Sequence, residues 1–514
     1  MRATTFQVSA VALLLFTTGT AANADEQLLD QACNGCHSET SNGLSRIDGQ
    51  RKTPEGWLMT IVRMRQIHGM ELSNKDQATL VGYLSDTQGL APSEAAAYRY
   101  VLERDPDIQE SFEEPFASMC TRCHTGARVG LQRRSEEEWL LHMDFHVGQF
   151  PTIEYQALGR DRQWYEIAKT NIAPALAERF PLETEAWKTW QSAPKVAVDG
   201  DWVVLTELPG LGQAYGTFSV TGSSSPHKIE GNITLSDGTE HTVSGRMNFY
   251  TGYEWRANVK INGKTYRQIL AMSEDGKHLK GRQFLRSKDS LGARFTGVKK
   301  GQGPAIIGTV PAALPAGQNT LQFVGTELEN LSLSDASDSA IMGSASTNNA
   351  GASLSLQTTG NGQLTLEADN VGYKLSHYDS IDRLVVEPAF TIARVGGGSD
   401  VGPDRVPARF KAIGYWNGPD GEPGTQDDVR IGEVPATWSM SNHNEAAADM
   451  GDAKFAGYLD QTGIFTPAVA GPNAERRFST NNAGDLKISA EAMGLKAESQ
   501  LIVTVQRFVD PPIR

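Results

Sequence analysis

The sequence predicts a multidomain α plus all-β chain: one N-terminal all-α domain followed by three antiparallel β domains. Three observations carry this. The chain is 514 residues long, more than one hydrophobic core serves at roughly 100–200 residues per domain. All four cysteines lie in its first quarter, in CNGCH at 33–37 and CTRCH at 120–124. From Lys195 onward, helical spacing of apolar residues gives way to period-two alternation broken by Asp-Gly and Asn-Gly turns.

Composition bounds the function. With 39% hydrophobic and 21% charged residues the chain is globular, and its formal net charge of -14 with only isolated basic clusters excludes nucleic acid as a partner. Residues 1–24 read as a signal peptide: an early Arg, an apolar run around Val11–Phe16 and an Ala-x-Ala pattern ending at Ala24. No later stretch has about 18 uninterrupted apolar residues, so no membrane span is expected. The mature chain is expected to be exported, which in a Gram-negative bacterium means the periplasm.

Residues 25–194 form the expected helical domain. An exported chain with four cysteines first suggests disulfides, and two CxxC pairs alone would also suit redox dithiols or one all-thiolate zinc site. Here each pair is followed at once by His. C-x-x-C-H is the attachment signature of haem c, in which two thiols add across the vinyl groups and the His ligates iron. Cys33, Cys36, Cys120 and Cys123 are therefore read as thioether positions for two haem c groups, with His37 and His124 as proximal iron ligands. No cysteine is left over.

Sixth ligands are sought downstream. After the first motif, Pro54, Trp57, Leu58, Ile61, Val62 and Met64 follow helical spacing; the helix ends near Gly69, and Ser73 caps the next. His68, Met70 and Met64 fall in that window, with His68 favoured as distal ligand of the first haem. After the second motif, Ser135 with Glu138 reads as a capping box and Trp139 repeats Trp57. His146 or Met143 is expected as the second distal ligand, with His142 the outsider. Met on an apolar helical face is more often core filler. Met ligation raises a haem potential relative to His, so a mixed pair would make a downhill step. The two halves share one plan: CxxCH, a basic pair, a capped helix opening on an acidic residue and Trp, then a His. Further helices are expected over SEAAAYRYVLERDPDI, DRQWYEIAKTNIAPALAERF and TEAWKTWQSA, with Arg160, Asp161 and Trp164 as packing and propionate-side polar contacts.

The β half begins with about eight alternating segments, read as a barrel-like domain over 195–302. Two immunoglobulin-like sandwiches are expected over 303–384 and 385–514. This half shows no nucleophile elbow, phosphate loop or metal-spaced His cluster. His227, His241, His278, His377 and His443 stand singly and read as surface or packed residues. WNGPDGEPGTQDDVRIG, at 416–432, is acidic like a calcium loop, but its spacing is not that of an EF-hand, and it reads as a turn-rich exposed loop.

The whole layout resembles the alpha subunit of quinohaemoprotein amine dehydrogenase, a likeness carried by the two CxxCH motifs together with RMRQIHGMELS, SDTQGLAPSEA, HVGQFPTIEYQALGRDRQW and the β tail. The resemblance implies a periplasmic heterotrimer with a propeller beta subunit and a small gamma subunit that bears cysteine tryptophylquinone. It implies that amine reduces the quinone and that electrons leave through the alpha-subunit haems to an external carrier such as azurin or a cytochrome c. The cysteine arithmetic agrees, because a cysteine-linked quinone needs a spare Cys and this chain has none. No catalytic residue for amine oxidation is therefore expected here. Two other readings of the motifs are a dihaem peroxidase, which needs an open sixth site, and a stand-alone dihaem carrier.

Overall fold

The computed structural model describes residues 19–154, 162–333, 340–397 and 402–505. It divides into two compact units, Met1–Leu90 with Leu131–Trp187, and Ala91–Gly130 with Lys188–Arg514.

The first unit is built from two copies of one local design. QRKTPEGW (50–57) and QRRSEEEW (132–139) each begin as a short strand and turn into a helix. Strands Gln50–Lys52 and Gln132–Arg134 pair antiparallel with Arg51 opposite Arg133. Helices Pro54–Ile67 and Glu136–Gln149 follow. Thr53 and Ser135 cap them, accepting from Gly56 N (3.3 Å) and Glu138 N (3.2 Å), which satisfies amides that a helix start leaves without partners. Each helix buries its Trp completely, Trp57 and Trp139 being 1% exposed.

The expected capping box at Ser135 is half right. Ser135 caps, but the Glu138 carboxylate does not return to it. It accepts from Arg46 Nε (2.7 Å) and Gln50 Nε2 (3.0 Å) and lies 3.5 Å from Arg134. A carboxylate this buried needs cationic partners, and the Ser135 amide is already spent on Gly49 O at 3.0 Å. The third helix, Asn74–Thr87, starts as expected, with Ser73 accepting from Asp76 N at 3.0 Å.

In the second unit, the helix expected over SEAAAYRYVLERDPDI is cut short. Pro92–Ala96 is helical and Arg99–Val101 makes one tight turn, after which the chain is irregular. Arg104 sits at φ +54, Pro106 removes a donor, and buried Glu103 turns back to Arg99 at 2.8 Å. The carbonyls of Glu103 and Arg104 accept from Arg282 at 3.0 and 2.8 Å, fastening this segment to the barrel.

That barrel is closed and eight-stranded, each strand pairing with the next in sequence. The last, Lys288–Lys299, closes on the first, Gly200–Leu208, from Thr296↔Leu205 to Lys299↔Trp202. Trp202, Phe218, Trp255 and Phe295 fill the interior with ring centroids 5.9–6.5 Å apart. Trp255 Nε1 donates to Gln268 at 3.0 Å, and Gln268 in turn to Gln283 at 2.8 Å. Closure demands sharply coiled strands; a Cβ at Gly216 would meet Asn232 O at 2.1 Å, so only glycine lets those backbones approach.

Beyond it, two four-stranded sheets share one core, in which Leu321, Phe323 and Leu354 of one sheet meet Leu314, Leu366 and Leu375 of the other. This is a two-layer sandwich. The last β domain faces Arg383–Glu387, Lys411–Trp416 and Val429–Glu433 against a four-stranded sheet containing Gly484–Ala492 and Leu495–Thr504. It departs from a plain sandwich by a third small sheet and the helices Glu445–Met450 and Asp452–Phe455. Asn444 caps the first helix and Gly451 ends it at φ +67. His377 is buried, with Nδ1 at 3.0 Å from Gly360 O, and His227 is buried too. The turn-rich loop expected over 416–432 is shorter, because Trp416 ends strand Lys411–Trp416 and residues 429–432 belong to strand Val429–Glu433; residues 417–428 between them are mostly exposed and laced by their own hydrogen bonds, such as Glu422 N to Asp420 (2.9 Å) and Gly424 N to Asp428 (2.9 Å).

Candidate haem-attachment site

The first motif closes a helix. Gly19–Cys33 ends at its first cysteine, and the chain turns through Cys36 N to Cys33 O (3.1 Å) and His37 N to Cys33 O (3.0 Å). That one turn gathers Cys33, Cys36 and His37. The second motif is arranged alike: Phe116–Cys120 is a helix ending at its first cysteine, with Cys123 and His124 in the turn beyond. In both, the first cysteine and the His are half-buried and the second cysteine is exposed. The four cysteines form no disulfide.

Burial, helped by Asp30 and Cys36, pushes the Cys33 thiol up to about 11, and burial pushes Cys120 up to about 12. Among the described residues no three His, Cys, Asp or Glu groups cluster as a metal site.

The histidines carry the stronger signal. His37 Nδ1 lies 2.7 Å from Ser45 O, and His124 Nδ1 lies 2.9 Å from Thr125 O. A carbonyl only accepts, so Nδ1 carries the proton in each ring and the lone pair lies on Nε2. Tying one nitrogen to a carbonyl is how a metal-ligating His is oriented. Two thiols for thioethers and an Nε2 lone pair in one turn fit covalent haem c.

Elsewhere, His68 is exposed at the end of its helix, and its amide shares Met64 O with that of Met70, at 3.2 and 3.0 Å. Met64 and Met70 are half-buried. Met143 is in the core at 4% exposure. His142 and His146 stack edge-on at 4.5 Å, His146 Nδ1 lies 2.7 Å from His142 O, and Trp164 stands 5.8 Å from His146. Burial, then Arg134, His146, Lys52 and Arg63, holds His142 well below the usual imidazole range. Arg160 and Asp161 lie outside the described residues.

Two features escaped sequence reasoning. Counted from each buried Trp, position seven is Met64 in one copy and His146 in the other, an equivalence visible once the QRKTPEGW and QRRSEEEW stretches are aligned. The second is Glu110, whose carboxylate accepts from Tyr100 Oη (2.7 Å), Gly126 N (2.8 Å), Ala127 N (3.2 Å) and the Thr125 hydroxyl. It gathers the loop that follows His124, and nothing in its local sequence announces it.

A helical region bearing covalent-haem motifs, joined to a closed barrel and sandwich domains, defines the class: a multidomain haem-binding protein. Family profiles make this particular. Residues 23–187 match the haem-binding domain of the quinohemoprotein amine dehydrogenase alpha subunit, 195–300 its domain II and 384–513 its domain IV, together more than three quarters of the chain. The chain belongs to the quinohemoprotein amine dehydrogenase alpha-subunit family, and hence to a multi-subunit oxidoreductase. No curated protein matches it. Among solved structures, a redesigned β-barrel, mFAP1, bound to DFHBI is 15% identical with a TM-score of 0.18, covering 20% of this chain and 94% of its own. The titin domains z1z2 in complex with telethonin are 11% identical with a TM-score of 0.14, covering 40% and 97%. Zebrafish RET cadherin-like domains 1 to 4 are 10% identical with a TM-score of 0.17, covering 59% and 66%. Among the described residues no helix is long and apolar enough to cross a membrane.

Proposed function

We propose that this chain is the dihaem c subunit of a periplasmic amine dehydrogenase, taking electrons from a quinone on a partner subunit and passing them to an external carrier. The observation that carries the reading is the matched pair of histidines, each beside two thiols and each with Nδ1 on a backbone carbonyl. Haem c, when bound, supplies a one-electron iron centre. This chain's part is to hold it: Cys33 and Cys36 with His37 for one haem, Cys120 and Cys123 with His124 for the other. His68 for the first haem, and His146 or Met143 for the second, are the distal ligands proposed from sequence. The repeat adds Met64 as the positional equal of His146.

With every cysteine committed, cysteine tryptophylquinone belongs on the small gamma subunit, beside a propeller beta subunit, and amine oxidation takes place there. The two sandwiches, read as immunoglobulin-like, and the barrel serve as scaffold and docking surface. Residues 1–24 would direct export and be removed.

Haem-stained denaturing gels and a pyridine haemochrome assay test the attachment. Two haems per chain are expected, falling to one in Cys33→Ala/Cys36→Ala and in Cys120→Ala/Cys123→Ala. An unstained chain would refute the reading.

A further inference from the structure

The carbonyl that receives His124 Nδ1–H and the amide that reaches Glu110 belong to one peptide group. Thr125 C=O accepts from His124 at 2.9 Å, and Gly126 N–H, across the same C–N bond, donates to Glu110 at 2.8 Å. Imidazole, peptide and carboxylate thus form one chain of hydrogen bonds. Such chains polarise cooperatively: an anion on the amide side draws its proton outward and makes the carbonyl oxygen a stronger acceptor. A stronger acceptor on Nδ1–H gives the ring more imidazolate character and makes Nε2 a more basic ligand, as a carboxylate does when it bonds a metal-bound His directly.

Glu110 is well built for that task. Burial works to raise its pKa, but the bonds from Thr125, Tyr100, Gly126 and Ala127 outweigh it, so the carboxylate is held below the ordinary range and stays ionised. The first motif differs. Its acceptor is Ser45 O, and the residue across that peptide bond is Arg46, whose guanidinium turns to Glu138 at 2.7 Å. The group fastened to the second relay is an anion; the side chain next to the first is a cation.

We propose that Glu110 is a positioning residue that lowers the reduction potential of the haem carried by Cys120, Cys123 and His124, acting through the Thr125–Gly126 peptide. A more basic proximal ligand favours the ferric state. The inference rests on the haem reading and adds a direction: the second haem is held lower by its surroundings than its ligand set alone would make it.

The test is a spectroelectrochemical titration of the purified holo-complex, wild type against Glu110→Gln, with haem counted in each preparation. Gln keeps an acceptor in place but removes the charge. One of the two midpoints is expected to rise by about threefold to tenfold in the reduction equilibrium, at ~59 mV per tenfold for one electron, while the other stays. Tyr100→Phe removes one donor from the carboxylate without touching its charge, and should shift the same midpoint the other way, by less. If Glu110→Gln does not assemble, Tyr100→Phe alone decides. Two haems with unchanged midpoints would overturn the inference and leave Glu110 as a loop fastener. Absence of haem at the second motif in the wild type would instead overturn the reading beneath it.

Discussion

Trp57 and Trp139 occupy the same place in two copies of one helical unit, and each indole is anchored to the carbonyl that ends a neighbouring helix. Trp57 Nε1 donates to Gln88 O at 3.0 Å and Trp139 Nε1 to Phe180 O at 3.3 Å. The same two carbonyls also receive the backbone amides of Lys52 and Arg134, at 3.0 and 3.3 Å. Gln88 follows helix Asn74–Thr87 and Phe180 follows helix Ala173–Arg179. Helix-end carbonyls have no partner within their own helix, so each tryptophan completes one while filling the core.

Trp57→Phe and Trp139→Phe should therefore cost similar stability, about 2 kcal/mol each, from the lost hydrogen bond and smaller ring. Chemical unfolding of the holo-protein measures it. A large loss at one position and none at the other would show that the two copies are not energetic equals.

Glu207 joins the barrel to the last β domain by pairing with both Arg409 and Lys411. Burial pushes its carboxyl up, but the two cations outweigh burial and hold it below the ordinary range. A carboxylate with a depressed folded pKa adds stability above its unfolded pKa of about 4.3 and loses it as pH falls through the folded value. Glu207→Gln should cost about 3 kcal/mol at pH 7, and the gap from wild type should narrow steadily as pH falls below about 4. Urea midpoints across pH 3–7 check this; a gap that does not narrow in acid would mean that packing, not charge, is lost.

Gly216→Ala should destabilise the barrel by about 2 kcal/mol, because its Cβ would meet Asn232 O at 2.1 Å and backbone cannot yield as a side chain does. Thermal unfolding followed by near-ultraviolet circular dichroism reports it through the interior Trp202 and Trp255. A wild-type midpoint would show that the strands can separate there without loss.

Much of this fold is legible because the signals are local. Ser73 and Ser135 announce helix starts, and alternation in segments such as YGTFSVTG announces strands that the closed barrel contains. What failed was non-local. Glu138 sits where a capping box needs it, yet Arg46, eighty-nine residues from Ser135 in sequence, takes its carboxylate. SEAAAYRYVLERDPDI has helical periodicity, yet Glu103 and Arg104 serve Arg282, far along the chain. The candidate attachment site is local too: CxxCH is contiguous, and its turn gathers the thiols and the ring. Glu110 is illegible, since its role arises from a loop folding back onto it.

Amine titration of the complex purified from its native compartment, with the reduced haem bands followed as primary amine is added, tests the central claim most directly. Amine alone is expected to reduce both haems of this chain while smaller subunits remain bound, and the isolated chain is expected to stay oxidised under the same amine. Haems that stay oxidised in the intact complex, or a lone chain that reacts with peroxide, would contradict it.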